Sequence, residues 1–239
     1  MIASHIRAVG FDLDDTLCLY MPVAREARLR TFEQLLIPRV NISLEEIDQH
    51  YRHAFREVLE QIHTEPWYTL YKQEGHPTRT ETMRRMLERL GIRDDSLAEA
   101  LSWHYLEERE KRLHLHDDTL PVLRTLKERY PLFVITNGPA REQRRELAIL
   151  QLEPFFEVVA IEGEVGVGKP HPEIFRVVER ALNLPPGSLL FVGNSWEHDV
   201  LGALQAGWNA IWLNRENLPH PEPHRAEVPV ITTLRALLG

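Results

Sequence analysis

Past residue 117 the chain alternates between short apolar runs and segments of helical period. The runs are LFVIT (132–136), VVAI (158–161), LLFVG (189–193) and NAIWL (209–213). Helical patterns fall before and between them, near 121–129, 140–151, 172–183 and 197–206. Continuous apolar runs of this length suit strands buried on both faces. Strands that alternate with helices at this spacing predict an α/β fold, a parallel sheet with helices on both faces. An earlier run, IRAVGFDLD, has the same character, and its apolar residues stop abruptly at acidic ones.

Between that first strand and the rest, residues 22–113 carry almost no strand signal. Four amphipathic helices can be drawn there. The first spans 23–36, with Val23, Ala27, Phe32 and Leu36 near a helical period. The second opens on the capping-box pair Ser43 and Glu46, with Leu44, Ile47, Tyr51, Phe55, Val58 and Ile62 on one face. The third starts at Thr78 with Glu81 and stops at Gly91, and the fourth starts at Ser96 with Glu99. Four helices suggest a small bundle. The expected organisation is therefore an α/β core from 1–19 and 117–239, with an inserted helical domain from 20–116. The proline-rich stretch PHPEPHRAEVP (219–229) is expected to be a surface loop.

Composition serves mainly to exclude. The formal charge is -8, so nothing steers the chain toward nucleic acid or an anionic membrane. No apolar run approaches the roughly 20 residues of a membrane span. The one cysteine, Cys18, cannot form a disulfide within the chain. MIASHIRAVGFDLDDTL lacks the apolar core of a signal peptide, and a cytoplasmic setting is expected.

In open α/β sheets, ligands sit at the carboxyl ends of the strands. That rule gathers four segments. Asp12 and Asp14 lie at i, i+2 where strand one ends, a pair able to divide attack or metal binding from proton transfer. An Asp-rich turn is the plainer reading. Thr136 ends the second strand, and Asn137, Gly138 and Pro139 follow it, forming an anion cup or a simple strand–turn–helix junction. Lys169 sits in GEVGVGKPHP, where Gly163, Gly168 and Lys169 match P-loop spacing. Pro170 stands where that loop needs Ser or Thr, so Lys169 is read as a lone cation for an anion, against the alternative of an exposed loop lysine. Gly193, Asn194, Ser195 and Asp199 follow the fourth run; Asp199 is a metal ligand, a water-orienting group, or a first-turn helix carboxylate.

Together these segments resemble the haloacid dehalogenase superfamily in its phosphatase branch. FDLDDTL is similar to the first motif at Asp12, Asp14 and Thr16, ITNG to the second at Thr136, GKPHPEIF to the third at Lys169, and VGNSWEHDVLGA to the fourth at Gly193 and Asp199. The helical block resembles the family's cap. The resemblance implies a Rossmann-like core and a magnesium-dependent hydrolysis of a small phosphorylated metabolite. Asp12 would be the nucleophile and Asp14 the acid and base, with Thr136 and Lys169 catalytic and Thr16, Asn137 and Gly138 binding substrate. Asp12, Asp14, Asn194 and Asp199 would serve Mg2+. Asn194 departs from the pattern, since the family usually has Asp there.

Dehalogenase and phosphomutase chemistry are the nearest alternatives on this fold; Asp14 favours a phosphatase, because a halide leaves without a proton. A P-loop nucleotide-binding protein and a non-catalytic binding module are alternatives of other classes. The HLHDD stretch (114–118) reads as a polar hinge rather than a metal site. Residues of HTEPWYTLY (63–71), with His76 and Arg79, are left without an assigned role.

Overall fold

The structure is a computed structural model and describes residues 2–225 and 227–239. Six strands form one sheet: β1 (Ala8–Phe11), β2 (Leu132–Thr136), β3 (Val158–Ile161), β4 (Leu189–Gly193), β5 (Asn209–Leu213) and β6 (Val230–Ile231). Their order is β3-β2-β1-β4-β5-β6, and every pairing is parallel. The expected α/β architecture is therefore present. The two-residue strand β6 was not foreseen; it is too short to carry an apolar signal. At the centre, Gly10 of β1 lies under Phe133, whose ring would stand 1.8 Å from an added Cβ. Only a residue without a side chain lets that ring lie flat across the strand.

Two compact units make up the chain. One comprises Tyr20–Leu113 together with Pro139–Glu142. Its helices are α1 (Met21–Leu35), α2 (Leu44–Ile62), α3 (Trp67–Gln73), α4 (His76–Arg89) and α5 (Asp95–Arg112). Ser43 caps α2 by accepting from the Glu46 amide at 3.2 Å. Ala27, Phe32, Ile47, Ala54, Met83, Met86 and Leu101 meet in its core. Gly91, at φ +75, ends α4 in a left-handed residue.

Helix α3 was not foreseen, and three further details of this unit differ from expectation. Helix α4 starts at His76 behind Gly75, so Thr78 and Glu81 lie inside it. Helix α5 is capped by Asp94, which accepts from the Leu97 amide at 2.9 Å, two residues before the expected Ser96. An Asp two residues upstream starts the helix earlier and holds the Leu97 amide with a charge. Phe55, counted on the buried face of α2, is 42% exposed.

The other unit holds the sheet, with α6 (Thr119–Lys127), most of α7 (Ala140–Ile149), α8 (Glu162–Val165), α9 (Pro172–Leu182) and α10 (Gly202–Gln205). A π-helical segment, Trp196–Leu201, leads into α10. On one sheet face Ala8, Phe133, Ile135, Phe191 and Trp212 pack with Phe175 of α9 and Ala203 of α10. Their strand neighbours Val9, Leu132, Val134, Leu190 and Ile211 point the other way and are also buried. Both faces are therefore covered, which explains why the strand sequences show no polar alternation.

The two ends of the sheet unit that flank the helical insertion are bonded to each other. The Leu19 amide donates to His114 O at 3.0 Å, and the His116 amide to Leu17 O at 3.1 Å. Asp118, foreseen as part of a polar hinge, is a buried anchor. It accepts from Arg215 at 2.9 and 3.0 Å, from Thr233 Oγ1 at 2.6 Å and from the Leu234 amide at 2.8 Å. Burial alone would raise its carboxyl; these donors outweigh it and hold the group near 2. The 219–229 stretch is tied down as well, with the His220 ring 4.4 Å from that of Trp196 and Trp196 Nε1 donating to Glu222 at 3.2 Å. Ala226 of that stretch lies outside the described residues. Among the described residues no helix is long and apolar enough to cross a membrane.

Inside the helical unit, Glu142 accepts from Arg79 Nη1 at 2.8 Å and Arg109 Nη2 at 2.9 Å. Burial opposes its charge, but the two guanidinium groups prevail and hold the carboxyl at about 2. A carboxyl so depressed adds stability above its ordinary 4.5, and that stability is lost as pH falls from 4.5 through about 2. Glu142→Gln should therefore destabilise the protein by about 3 kcal/mol near neutral pH, because two buried cations lose their counter-charge. Urea unfolding at pH 7 measures this, and the difference from wild type should shrink toward pH 2.

Candidate active site

Strands β1 and β4 are neighbours, and the chain passes from one side of β1 to the other between β3 and β4. That border is a topological switch point, where the connections diverge and leave a crevice at the strand ends. Asp12 follows β1 there, its amide donating to Val192 O of β4 at 3.0 Å. Asn194 follows β4 and Asn137 follows β2.

Lys169 joins two of these strand ends. Its ammonium lies 2.6 Å from Asp12 Oδ1 and 2.7 Å from Asp199 Oδ1, and all three side chains are buried. It is not the exposed loop lysine that was the plainer alternative. Asn137 clamps its backbone from both sides: Oδ1 accepts from the Lys169 amide at 2.7 Å, and Nδ2 donates to Lys169 O at 2.8 Å. Asp199 is itself fixed, since Oδ2 accepts from the Ser195 amide at 2.8 Å. Gly193 makes room for it: an added Cβ would lie 2.2 Å from Asp199 Oδ2.

Two buried carboxylates share one ammonium. Lys169 gains from both, so its pKa rises although burial opposes its charge. Asp12 is buried and faces the like charge of Asp199, and these outweigh Lys169 and a Thr16 hydrogen bond. Its carboxyl is pushed from the ordinary 3.8 up to about 6. Burial is the main cause of the Asp12 shift, with Asp199 adding to it, whereas the two carboxylates cause the Lys169 shift against burial.

Thr16 is buried and links Asp12 to Asn194. Its hydroxyl lies 3.1 Å from Asn194 Oδ1 and accepts from the Asn194 amide at 3.1 Å. Arg215, held by Asp118, donates to Thr16 O at 3.0 Å from behind. The donors Asp12 and Asn194 Oδ1 are hard oxygens beside surplus negative charge, which fits a divalent cation that keeps several waters. Among the described residues no three His, Cys, Asp or Glu side chains converge as a metal cluster. A site built with an amide at Asn194 and one main-chain carbonyl would not form such a cluster. Asp199 has both oxygens engaged by Lys169 and Ser195.

The expected anion cup has a different occupant here. The Gly138 amide donates to Glu162 Oε2 at 3.0 Å, so a buried protein carboxylate takes that donor. Thr136 is fully buried, and its hydroxyl donates to Gln143 Oε1 at 2.6 Å. Gln143 and Glu162 were missed from sequence. Gln143 lies in the first turn of a strongly polar helix, where nothing marks it out from its exposed neighbours.

A family model for haloacid dehalogenase-like hydrolases matches residues 6–207. The N-acylneuraminate-9-phosphatase of Homo sapiens is 27% identical over 249 residues, covering 98% of this chain and 94% of that protein. The glyceraldehyde 3-phosphate phosphatase of Methanopyrus kandleri is 30% identical over 222 residues, covering 91% and 88%. Among solved structures, a 2-haloacid dehalogenase from Pseudomonas syringae pv. Tomato DC3000 matches at 26% identity and a TM-score of 0.69, covering 98% and 96%.

A carboxyl whose pKa rises on folding costs stability as pH climbs from 3.8 to about 6. Asp12→Asn should remove that cost. The metal-free variant should be more stable than wild type at pH 7 by up to about 3 kcal/mol, with the gap closing below pH 4. Thermal unfolding across that range checks the sign.

Proposed function

We propose that this chain, which belongs to the haloacid dehalogenase-like hydrolases, hydrolyses the phosphate monoester of a small metabolite through Asp12. The observation that carries this reading is the buried Asp12–Lys169–Asp199 array with Asp14 two residues along the chain. Relatives that cover nearly the whole chain act on phosphate esters by name.

In this reading an Asp12 oxygen attacks phosphorus in line. The P–O bond to the alcohol breaks as Asp14 gives the leaving oxygen its proton. Water then attacks phosphorus of the aspartyl phosphate and passes a proton to Asp14. The P–O bond to Asp12 breaks, releasing inorganic phosphate and restoring both carboxyls. Lys169 fixes the attacking carboxylate and offsets charge on the phosphoryl oxygens. Magnesium, held by Asp12, Asn194 and the Asp14 main-chain carbonyl, would supply screening between the Asp12 carboxylate and the anionic ester. A cytoplasmic setting belongs to the same proposal and rests on the lone, buried Cys18.

The similarity to a dehalogenase structure supports a second reading, attack of Asp12 on carbon. Asp14 argues against it. Halide needs no proton to leave, whereas an alkoxide does.

Wild type should turn over para-nitrophenyl phosphate with Mg2+, and Asp12→Asn should lower kcat by at least about a thousandfold. Fluoroberyllate should lodge on Asp12. Asn194→Asp should lower the Mg2+ concentration for half-maximal rate severalfold, since a charged ligand replaces a neutral one. Halide release from 2-chloropropionate without phosphate release from any ester would overturn the reading.

A further inference from the structure

Gln143 has no part in the four motifs, yet it touches two of them. It is 4% exposed, in the first turn of α7. Its Oε1 accepts from Thr136 Oγ1 at 2.6 Å. Its Nε2 donates to Asp14 Oδ2 at 3.3 Å and to Glu146 Oε2 at 3.1 Å. The orientation of the amide follows from these partners. Turned over, its oxygen would face two carboxylates, none of which can donate while ionised. Gly138 leaves space for the side chain: at φ +132 it would set an added Cβ 3.1 Å from Gln143 Cγ.

We propose that Gln143 is a positioning residue for the acid–base step, holding Asp14 by one carboxylate oxygen and coupling it to the Thr136 hydroxyl. The proposal rests on the phosphatase reading above. A carboxyl that accepts an N–H at Oδ2 carries its proton on Oδ1, so the amide selects the oxygen that exchanges a proton with the leaving alcohol and then with water. Cys18 Sγ, 3.7 Å from Oδ1, offers a weaker donor on that side. Thr136 has a single hydroxyl proton, and Gln143 Oε1 holds it in this arrangement. An entering phosphoryl oxygen competes for that proton, so Thr136 turns from the amide to the anion while Nε2 keeps its hold on Asp14. A polar side chain in the middle of the site thus serves both the group that binds phosphate and the group that moves the proton.

The test compares wild type, Gln143→Met, Asp14→Asn and the double variant, with Mg2+, on para-nitrophenyl phosphate and benzyl phosphate. Gln143→Met keeps nearly the same volume and removes all three hydrogen bonds, to Thr136, Asp14 and Glu146. It should lower kcat on benzyl phosphate by about tenfold or more, a fraction of the whole acid–base effect, and on para-nitrophenyl phosphate by less than about threefold. KM should change less than kcat. In the Asp14→Asn background the same substitution should cost less than about twofold, because a residue that acts through Asp14 has nothing left to position. Equal losses on the two substrates, or equal losses in the two backgrounds, would assign Gln143 a packing role and overturn the proposal. Gln143→Glu, which keeps the acceptor for Thr136 and removes the donor to Asp14, repeats the comparison if the Met variant does not fold. Failure of both to fold would also overturn it. If wild type is active and only the selectivity is missing, this proposal fails and the phosphatase reading stands. If wild type cleaves neither ester, both fail.

Discussion

An ammonium group buried between two carboxylates organises this protein. Lys169 cannot be charged in a dry interior without partners, and Asp12 and Asp199 cannot both be ionised there without it. The three side chains arrive from segments that follow different strands: Asp12 directly after β1, Lys169 between α8 and α9 beyond β3, and Asp199 from the π-helical segment after β4. Each segment is shaped to deliver its side chain. Asn137 holds the backbone of Lys169, the Ser195 amide holds Asp199, and Gly193 omits the side chain that would keep Asp199 away. Losing Lys169 would leave two buried carboxylates facing each other with no counter-charge between them.

One ammonium against two carboxylates leaves the balance one charge short. Burial and this shortage together raise the Asp12 pKa, an unfavourable state for a nucleophile that has to be ionised. The same shortage makes the site suited to a further cation and to the chemistry that a cation assists. Stability and activity therefore pull in opposite directions at Asp12, as at many sites where charge is stored for reaction. The surroundings absorb that cost. Asp118 and Arg215 brace the Thr16 segment from behind, and α9 and α10 pack on one face of the sheet that carries it.

Much of the architecture was legible in the chain. The strand runs LFVIT, VVAI, LLFVG and NAIWL all form strands, because a strand covered on both faces is apolar along most of its length. Ser43 and Gly91 mark helix ends in the structure as they do in the sequence, through local hydrogen bonding that needs no distant partner. Signals that compete locally were harder to read. Asp94 outdid Ser96 as a cap, and α3, a short helix with no buried residue, has too little amphipathic pattern to show. Gln143, Glu162 and the anchoring role of Asp118 could not be read at all. Each depends on a partner far along the chain, and a polar residue in a helix or a loop looks the same whether it faces water or a buried polar group.

The sequence alone determined which residue types stand at the strand ends and in what order: carboxylates after the first strand, Thr after the second, Lys after the third and an amide with an acid after the fourth. Order along a chain reveals chemistry when parallel strands bring their carboxyl ends to one edge. Tertiary structure decided what each group does with its neighbours. It turned Lys169 inward onto two carboxylates, gave the Gly138 amide to Glu162, and set Gln143 between Thr136 and Asp14. Charge, donor direction and burial are properties of the assembled site, since the same side chain in water would carry a different proton and bond to solvent instead.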